Sequence, residues 1–388
     1  MLNMINGSVQ SELSRFFQVI QDKHITTDCV TTSAFTKARK KFSYTAFKAL
    51  NSCLATTFYE SSFVQRWYGL RLLAVDGSIT NLPDRKALYA YFGKARSLSS
   101  RPSARVSQLY DVINKISVDV QVSPHSTGER ELAVKHLECV GSDDLVLYDR
   151  GYPAVWLFIL HQQKNVNFCM RATMDSRNEI KNFMNSDKND AVVTLPCIEK
   201  SLRKCRKVGL PTSPIDVRMI KVKLKCGETE ILITSLLDNK KYPHKVFFNL
   251  YHQRWFIEED YKLMKSRLEM ENFSGLSVEA VKQDIHAKVL TKNIAAIAVL
   301  EADLIAKEKH RNRKRKYRIN FTYALSQLKD NIVRFTLRII HLDALCIFVE
   351  QISKVVDAVR PERTFPREDK GSLIKRRRKR YIAYKRVG

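Results

Sequence analysis

Two aspartates stand where short apolar runs end. Leu72-Leu-Ala-Val75 runs into Asp76-Gly77, and Asp143-Asp-Leu-Val-Leu-Tyr148 runs into Asp149-Arg-Gly151. The pattern predicts two buried strands that each deliver a carboxylate at their C-terminal end, where open α/β sheets bind ligands. Two such carboxylates on neighbouring strands repel one another unless a cation lies between them, and oxygen donors of this kind select a hard divalent ion. A strand-end aspartate also serves as a turn former or helix cap, so the pair alone leaves both readings open.

A third acid lies in Tyr251-His-Gln-Arg254-Trp-Phe-Ile-Glu258-Glu-Asp-Tyr-Lys-Leu-Met-Lys265. On one helix at about 100° per residue, Tyr251, Arg254, Glu258 and Lys265 share a stripe, while Phe256, Ile257, Leu263 and Met264 are expected to face the core. Glu259 is rotated off that stripe. A salt-bridged amphipathic helix gives the same spacing. An acid flanked by Arg and Lys beside a Tyr points instead to phosphate handling, with Glu258 on a metal ion and Arg254 and Lys265 on the substrate backbone.

The surrounding elements are predicted as follows. Residues 9–62 are helical by three- and four-residue apolar spacing and carry the basic cluster Lys37-Ala-Arg-Lys-Lys41, followed by an N-cap at Ser43. From Arg71 to Arg171 the texture is α/β, with helices at Glu129–Cys139 and Pro153–His161. Strands over 191–195, 217–224 and 230–237 follow, then helix from about Pro243 to Ala306. Phe321 to Val359 is helical again, between two basic runs, Lys307–Arg318 and Lys375–Arg386.

The chain has 388 residues and a net charge of +27, with 44% hydrophobic residues, so it forms a real core and calls for a polyanionic partner. No apolar run is long enough to span a membrane, and the first ten residues lack a signal-peptide core. The expectation is a cytoplasmic, nucleoid-associated protein. The eight cysteines show no metal-ligand spacing and are expected to be reduced and structural.

The Tyr251, Arg254, Glu258, Lys265 spacing resembles the Y-x2-R-x3-E-x6-K signature of the bacterial insertion-sequence transposases of the insertion sequence four family. Asp76-Gly-Ser78 resembles the family's first-Asp motif. Leu109-Tyr-Asp-Val-Ile-Asn114, Glu129-Arg130 and Asp149-Arg-Gly-Tyr152 resemble its second block, and Ile233-Thr-Ser-Leu-Leu-Asp238 resembles the strand leading to the Glu helix. The resemblance covers about residues 30 to 300.

It implies an α/β fold with an RNase H-like core: a helical DNA-binding domain over 1–68, core over 69–171, a β-rich insertion over 172–241, the Glu helix and its followers over 242–306, and a basic C-terminal helical region over 307–388. It also implies a DDE enzyme in which Asp76, Asp149 and Glu258 hold two Mg²⁺ (or Mn²⁺) ions, while Tyr251, Arg254, Lys265, Arg150 and Arg171 contact DNA. Such an enzyme nicks the element's terminal inverted repeats and joins the 3′-hydroxyl ends to target DNA as a homodimer. A metal-dependent nuclease on the same core, or a DNA-binding protein derived from a transposase, are the competing readings. Hairpin-forming members stack a flipped base on an aromatic residue of the insertion. Here Met184 to Lys241 holds no Phe, Tyr or Trp, which leaves Phe168, Tyr242 or Met219 for that role. Lys221, Lys223 and Lys225, alternating on one strand, are expected to give the insertion a basic face.

Overall fold

The computed structural model describes residues 8–21, 30–95, 101–224, 227–336 and 342–360. The Lys375–Arg386 run and Lys225 lie outside them. The strands are β1 Arg71–Asn81, β2 Ser103–Asp111, β3 Ile116–Pro124, β4 Asp144–Tyr148, β5 Asn167–Arg171, β6 Asp190–Leu195, β7 Ile215–Lys223, β8 Thr229–Thr234, β9 Tyr317–Ile319 and β10 Val356–Ala358. The helices are α1 Val9–Gln21, α2 Thr32–Lys40, α3 Thr45–Tyr59, α4 Lys86–Phe92, α5 Glu129–His136, α6 Val155–Gln163, α7 Asn178–Asn185, α8 Glu199–Val208, α9 Phe247–His252, α10 Trp255–Ser266, α11 Val278–Lys309, α12 Phe321–Thr336 and α13 Leu342–Ser353.

The chain divides into two compact units. One comprises Asn51–Asn81 and Tyr89–Lys265. It is built on a mixed sheet in the order β3-β2-β1-β4-β5-β8-β7-β6. β1, β2 and β3 pair antiparallel, whereas β1, β4 and β5 run parallel. This mixed strand order is consistent with the expected RNase H-like core. Its parallel strands are covered on both faces, so they read as unbroken apolar runs. Leu72 to Val75 and Leu145 to Tyr148 are wholly buried, and Leu73, Val75, Val146 and Tyr148 share one cluster with Phe158 of α6 and Phe168 of β5.

The 172–241 segment adds β8, β7 and β6 to the same sheet, antiparallel to β5. It also contributes α7 and α8, helices that strand-seeking patterns pass over because both are short and highly polar. Lys221 does not present a free basic face: its Nζ donates to the Ser186 carbonyl 2.5 Å away and lies over the Phe183 ring. Lys223 is exposed.

The second unit comprises Met1–Leu50, Leu82–Leu88 and Ser266–Gly388. Its axis is α11, capped by Ser277, whose Oγ accepts from the Ala280 N–H at 3.2 Å. α12 and α13 pack on it. The basic cluster lies on α2, and one of its members turns inward. Arg39 donates from Nε to Gln283 Oε1 at 2.6 Å and from Nη2 to Asp284 Oδ1 at 2.9 Å and to the Ala280 carbonyl at 2.7 Å. Arg39 is therefore withdrawn from the basic face, leaving Lys37, Lys40 and Lys41 exposed. No helix among the described residues is long and apolar enough to cross a membrane.

Candidate active site

The backbone brings the two aspartates side by side. In the parallel pairing of β1 with β4, Val75 stands opposite Tyr148, so Asp76 and Asp149 are the next residues on adjoining strands, roughly 4.8 Å apart in the pairing direction. The expectation that β1 stops at Asp76 needs correction. β1 continues to Asn81 because β2 pairs with it throughout, Asp76 opposite Gln108, after β4 has ended. Asp76 thus leaves the sheet at the point where one neighbour stops and the other continues.

Hydroxyls hold both strand ends. Tyr261 Oη lies 3.0 Å from both the Asp76 and the Val106 carbonyl oxygens, and Tyr251 Oη donates to the Tyr148 carbonyl at 3.2 Å. Tyr251 is buried, so it positions the residue before Asp149 from inside rather than offering an open surface to DNA.

The predicted single helix through the Tyr-Arg-Glu-Lys positions is broken. α9 ends at His252, and the N–H groups of Gln253 and Arg254 bond to carbonyls three residues back before α10 starts at Trp255. Such steps turn about 120° rather than about 100° each, which rotates the downstream face. Within α10, Ile257, Asp260, Tyr261 and Met264 form the buried stripe, and Phe256, expected in the core, is 44% exposed. Asp260 is buried and accepts from Gln108 Nε2 at 2.7 Å, an anchor from α10 to β2 that spacing alone did not reveal.

Glu258 sits in the first turn of α10 and accepts from Arg254 Nη2 at 2.8 Å. Arg254 is buried, 6% exposed, between the Tyr251 and Trp255 rings. Arg171, at the end of β5, places Nη2 3.1 Å from Asp149 Oδ1 and binds Glu230 with its other nitrogen. Lys265 is exposed and donates to the Ile79 carbonyl at 2.9 Å, while Arg150 is exposed on the turn after Asp149. The residues read from sequence as binding DNA therefore divide: Arg150 and Lys265 are exposed, Lys265 while bonded to Ile79, whereas Tyr251, Arg254 and Arg171 are more enclosed by their protein partners.

The electrostatics reflect crowded negative charge. Burial pushes the Asp76 carboxyl up, against the Gly77 N–H that it accepts from and the Arg254 charge; Glu258 and Asp149 add to the rise, which reaches about 6. Buried polar atoms without a hydrogen-bond partner also gather here: Asp149 Oδ1, Arg171 Nε, Arg254 Nε, Arg105 Nε and the Tyr152 hydroxyl. Native interiors leave few such atoms, and a run of them around one site calls for a further partner.

Among the described residues no three His, Cys, Asp or Glu side chains form a ready metal-ligand set, because Glu258 and Asp149 are turned onto arginines. The donor chemistry nevertheless fits a hard divalent ion: carboxylate oxygens, one of them, Asp149 Oδ1, buried and held only by its ion pair with Arg171, and two guanidinium groups supplying the positive charge the acids require.

The residues proposed for base stacking are all buried: Phe168, Met219 and Tyr242 are packed in the interior. Of the three tryptophans, Trp156 is buried with Lys204 over it and Trp67 stacks on Tyr242; Trp255, beside Arg254, is 38% exposed.

The chain is 22% identical over 277 residues to the transposase InsG for insertion sequence element IS4 of Escherichia coli, covering 70% of this chain and 62% of InsG. InsZ of the same organism, a putative transposase by name, is 28% identical over 105 residues, 26% of this chain and 35% of that protein. The chain thus spans less than two thirds of the length of either relative. A solved piggyBac transposase synaptic complex with hairpin DNA aligns over 80% of this chain and 63% of that one, at 11% identity and a TM-score of 0.39, too low to bear on the site. The transposase DDE domain family matches residues 67–294, more than half of the chain, and the protein belongs to that family.

Proposed function

We propose that the protein is a DNA transposase that nicks the ends of an insertion sequence and joins the freed 3′-hydroxyl ends to target DNA, with Asp76, Asp149 and Glu258 as its catalytic carboxylates. The observation that carries this reading is the register of β1 on β4, which sets Asp76 and Asp149 abreast, with Glu258 near enough to act on the Asp76 carboxyl. The three acids would hold two Mg²⁺ or Mn²⁺ ions. When bound, the ions supply Lewis-acid activation of the attacking water or 3′-hydroxyl and offset charge on the leaving 3′-oxygen.

The chain's own residues do the positioning. Tyr261 and Tyr251 fasten the carbonyls of Asp76 and Tyr148, so neither strand-end carboxylate drifts as charge builds up. Arg254 and Arg171 neutralise Glu258 and Asp149 before substrate arrives. Both guanidiniums keep an unbonded buried Nε–H, and a phosphodiester entering the site offers acceptors for those donors. Arg150 and Lys265 meet the DNA backbone from the rim. The +27 charge supports a polyanionic substrate, and two copies of the chain on paired element ends complete the proposal.

The test uses the full chain with supercoiled plasmid carrying its coding sequence and flanking DNA, plus a second plasmid as target. Mg²⁺-dependent nicking at the element ends followed by joining to the target supports the reading. Nicking without joining identifies a nuclease on the same core, and binding without either identifies a DNA-binding protein.

A further inference from the structure

Glu129, in the first turn of α5, lies against the glycines that follow both aspartates. A Cβ built on Gly77 would stand 3.6 Å from Glu129 Cγ and 3.7 Å from its Oε1, and one on Gly151 would stand 3.8 Å from its Oε2. The side chain therefore reaches across the gap between the β1 and β4 exits, one residue beyond Asp76 and two beyond Asp149. Oε1 accepts from Arg105 Nη1 at 2.6 Å. Oε2 has no protein partner among the described residues and faces the Asp149 side.

The next residue fixes the same corner from behind. Arg130 donates from Nε to the Tyr152 carbonyl at 3.0 Å and from Nη2 to the Pro153 carbonyl at 3.1 Å, so the start of α5 is tied to the turn after Asp149. Burial first, then Asp76 and then Glu129, push the Tyr152 hydroxyl up, which sets both carboxylates around one buried group. A half-exposed acid whose only task is to pair with Arg105 does not need to be held between two active-site strand ends.

We propose that Glu129 is a fourth carboxylate of the catalytic centre, with Oε2 facing the cations held by Asp76 and Asp149 and bonding to their water, while Arg105 holds Oε1 and offsets part of its charge. The proposal rests on the reading of Asp76, Asp149 and Glu258 as the cation-binding acids. It assigns the Glu129-Arg130 motif two adjacent tasks, charge toward the cation and a strap on the Asp149 turn.

The test is Mn²⁺ binding to the full chain without DNA, followed by electron paramagnetic resonance of the free ion and by titration calorimetry. Glu129→Gln keeps the side-chain size and an acceptor for Arg105, and is expected to weaken Mn²⁺ binding about tenfold with the cation-free melting temperature unchanged. Arg105→Gln keeps all four acids and removes a competing positive charge, so it is expected to tighten Mn²⁺ binding. Wild-type affinity in Glu129→Gln, alongside lost binding in Asp76→Asn, overturns the role of Glu129 and leaves the triad standing. Wild-type affinity in Asp76→Asn overturns the triad reading and this proposal with it. If Glu129→Gln does not fold, weaker or unchanged binding in Arg105→Gln overturns the proposal instead.

Discussion

Arg39 and Arg254 are equally shielded from water, 8% and 6% exposed, and each faces a carboxylate. They are held in opposite ways. Arg39 bonds through Nε and both terminal nitrogens to Gln283, Ser274, Ala280 and Asp284, and Asp284 in turn accepts from the Ser274 N–H and hydroxyl. Among the described residues Arg254 makes one hydrogen bond, to Glu258, and its buried Nε has none. A buried guanidinium that is saturated acts as a structural knot, whereas one left short of acceptors is set for a ligand that supplies them. The same contrast separates Arg218, which binds Asp190 and the Leu236 and Tyr242 carbonyls, from Arg171, whose Nε is also unbonded.

Four sets of substitutions test this contrast, in order of effect. Arg39→Met leaves Asp284 buried without its cation and is expected to cost about 3–5 kcal/mol of stability; urea unfolding measures it. A loss under about 1 kcal/mol, the scale of an exposed pair, would show that saturation does not mark a structural role. Asp76→Asn is expected to stabilise the cation-free protein at pH 7.5 by as much as about 3 kcal/mol. The sign follows from the raised carboxyl: the folded state binds the proton more tightly than the unfolded chain, so stability falls as pH climbs from 3.8 through about 6. Wild-type melting temperature should fall over that window without added cation, and Asp76→Asn should remove this component.

Arg254→Met is expected to cost only about 1 kcal/mol, because Glu258 is part-exposed and regains water, while DNA cleavage falls far more than stability. Equal losses would make Arg254 another knot. Replacing the exposed Lys37, Lys40 and Lys41 with Gln should leave unfolding unchanged. The log–log salt slope of DNA binding should become shallower by about 0.9 for each phosphate that these lysines neutralise. An unchanged slope would make this a solvated face.

How much of this was legible depended on range. The β1 and β4 runs and their terminal acids read correctly because a strand buried on both faces is continuously apolar and its exit is punctuated by glycine. Glu258 emerged from local spacing. The break between His252 and Trp255 left no trace, since no Pro or Gly interrupts Tyr251 to Lys265. Phe256, read as a core residue, lies outward, and the polar Asp260 is buried.

Arg39 reads like its basic neighbours because its acceptors, Gln283 and Asp284, lie some 240 residues along the chain. Glu129 was visible only as a motif letter. Its place between Gly77 and Gly151 is a product of tertiary structure, as is the burial of Phe168, Met219 and Tyr242.

The central claim is that three acids from two strand ends and one helix act as a single cation-dependent centre for cutting DNA. The most direct measurement is the initial rate of Mg²⁺-dependent nicking of supercoiled DNA carrying the flanking sequences, for the wild-type chain and for Glu258→Gln, which keeps the size of the side chain and an acceptor for Arg254. The expected result is a fall on the order of 10³-fold or more, equivalent to about 4 kcal/mol of transition-state stabilisation, with unchanged DNA binding. Nicking by Glu258→Gln at the wild-type rate would contradict it.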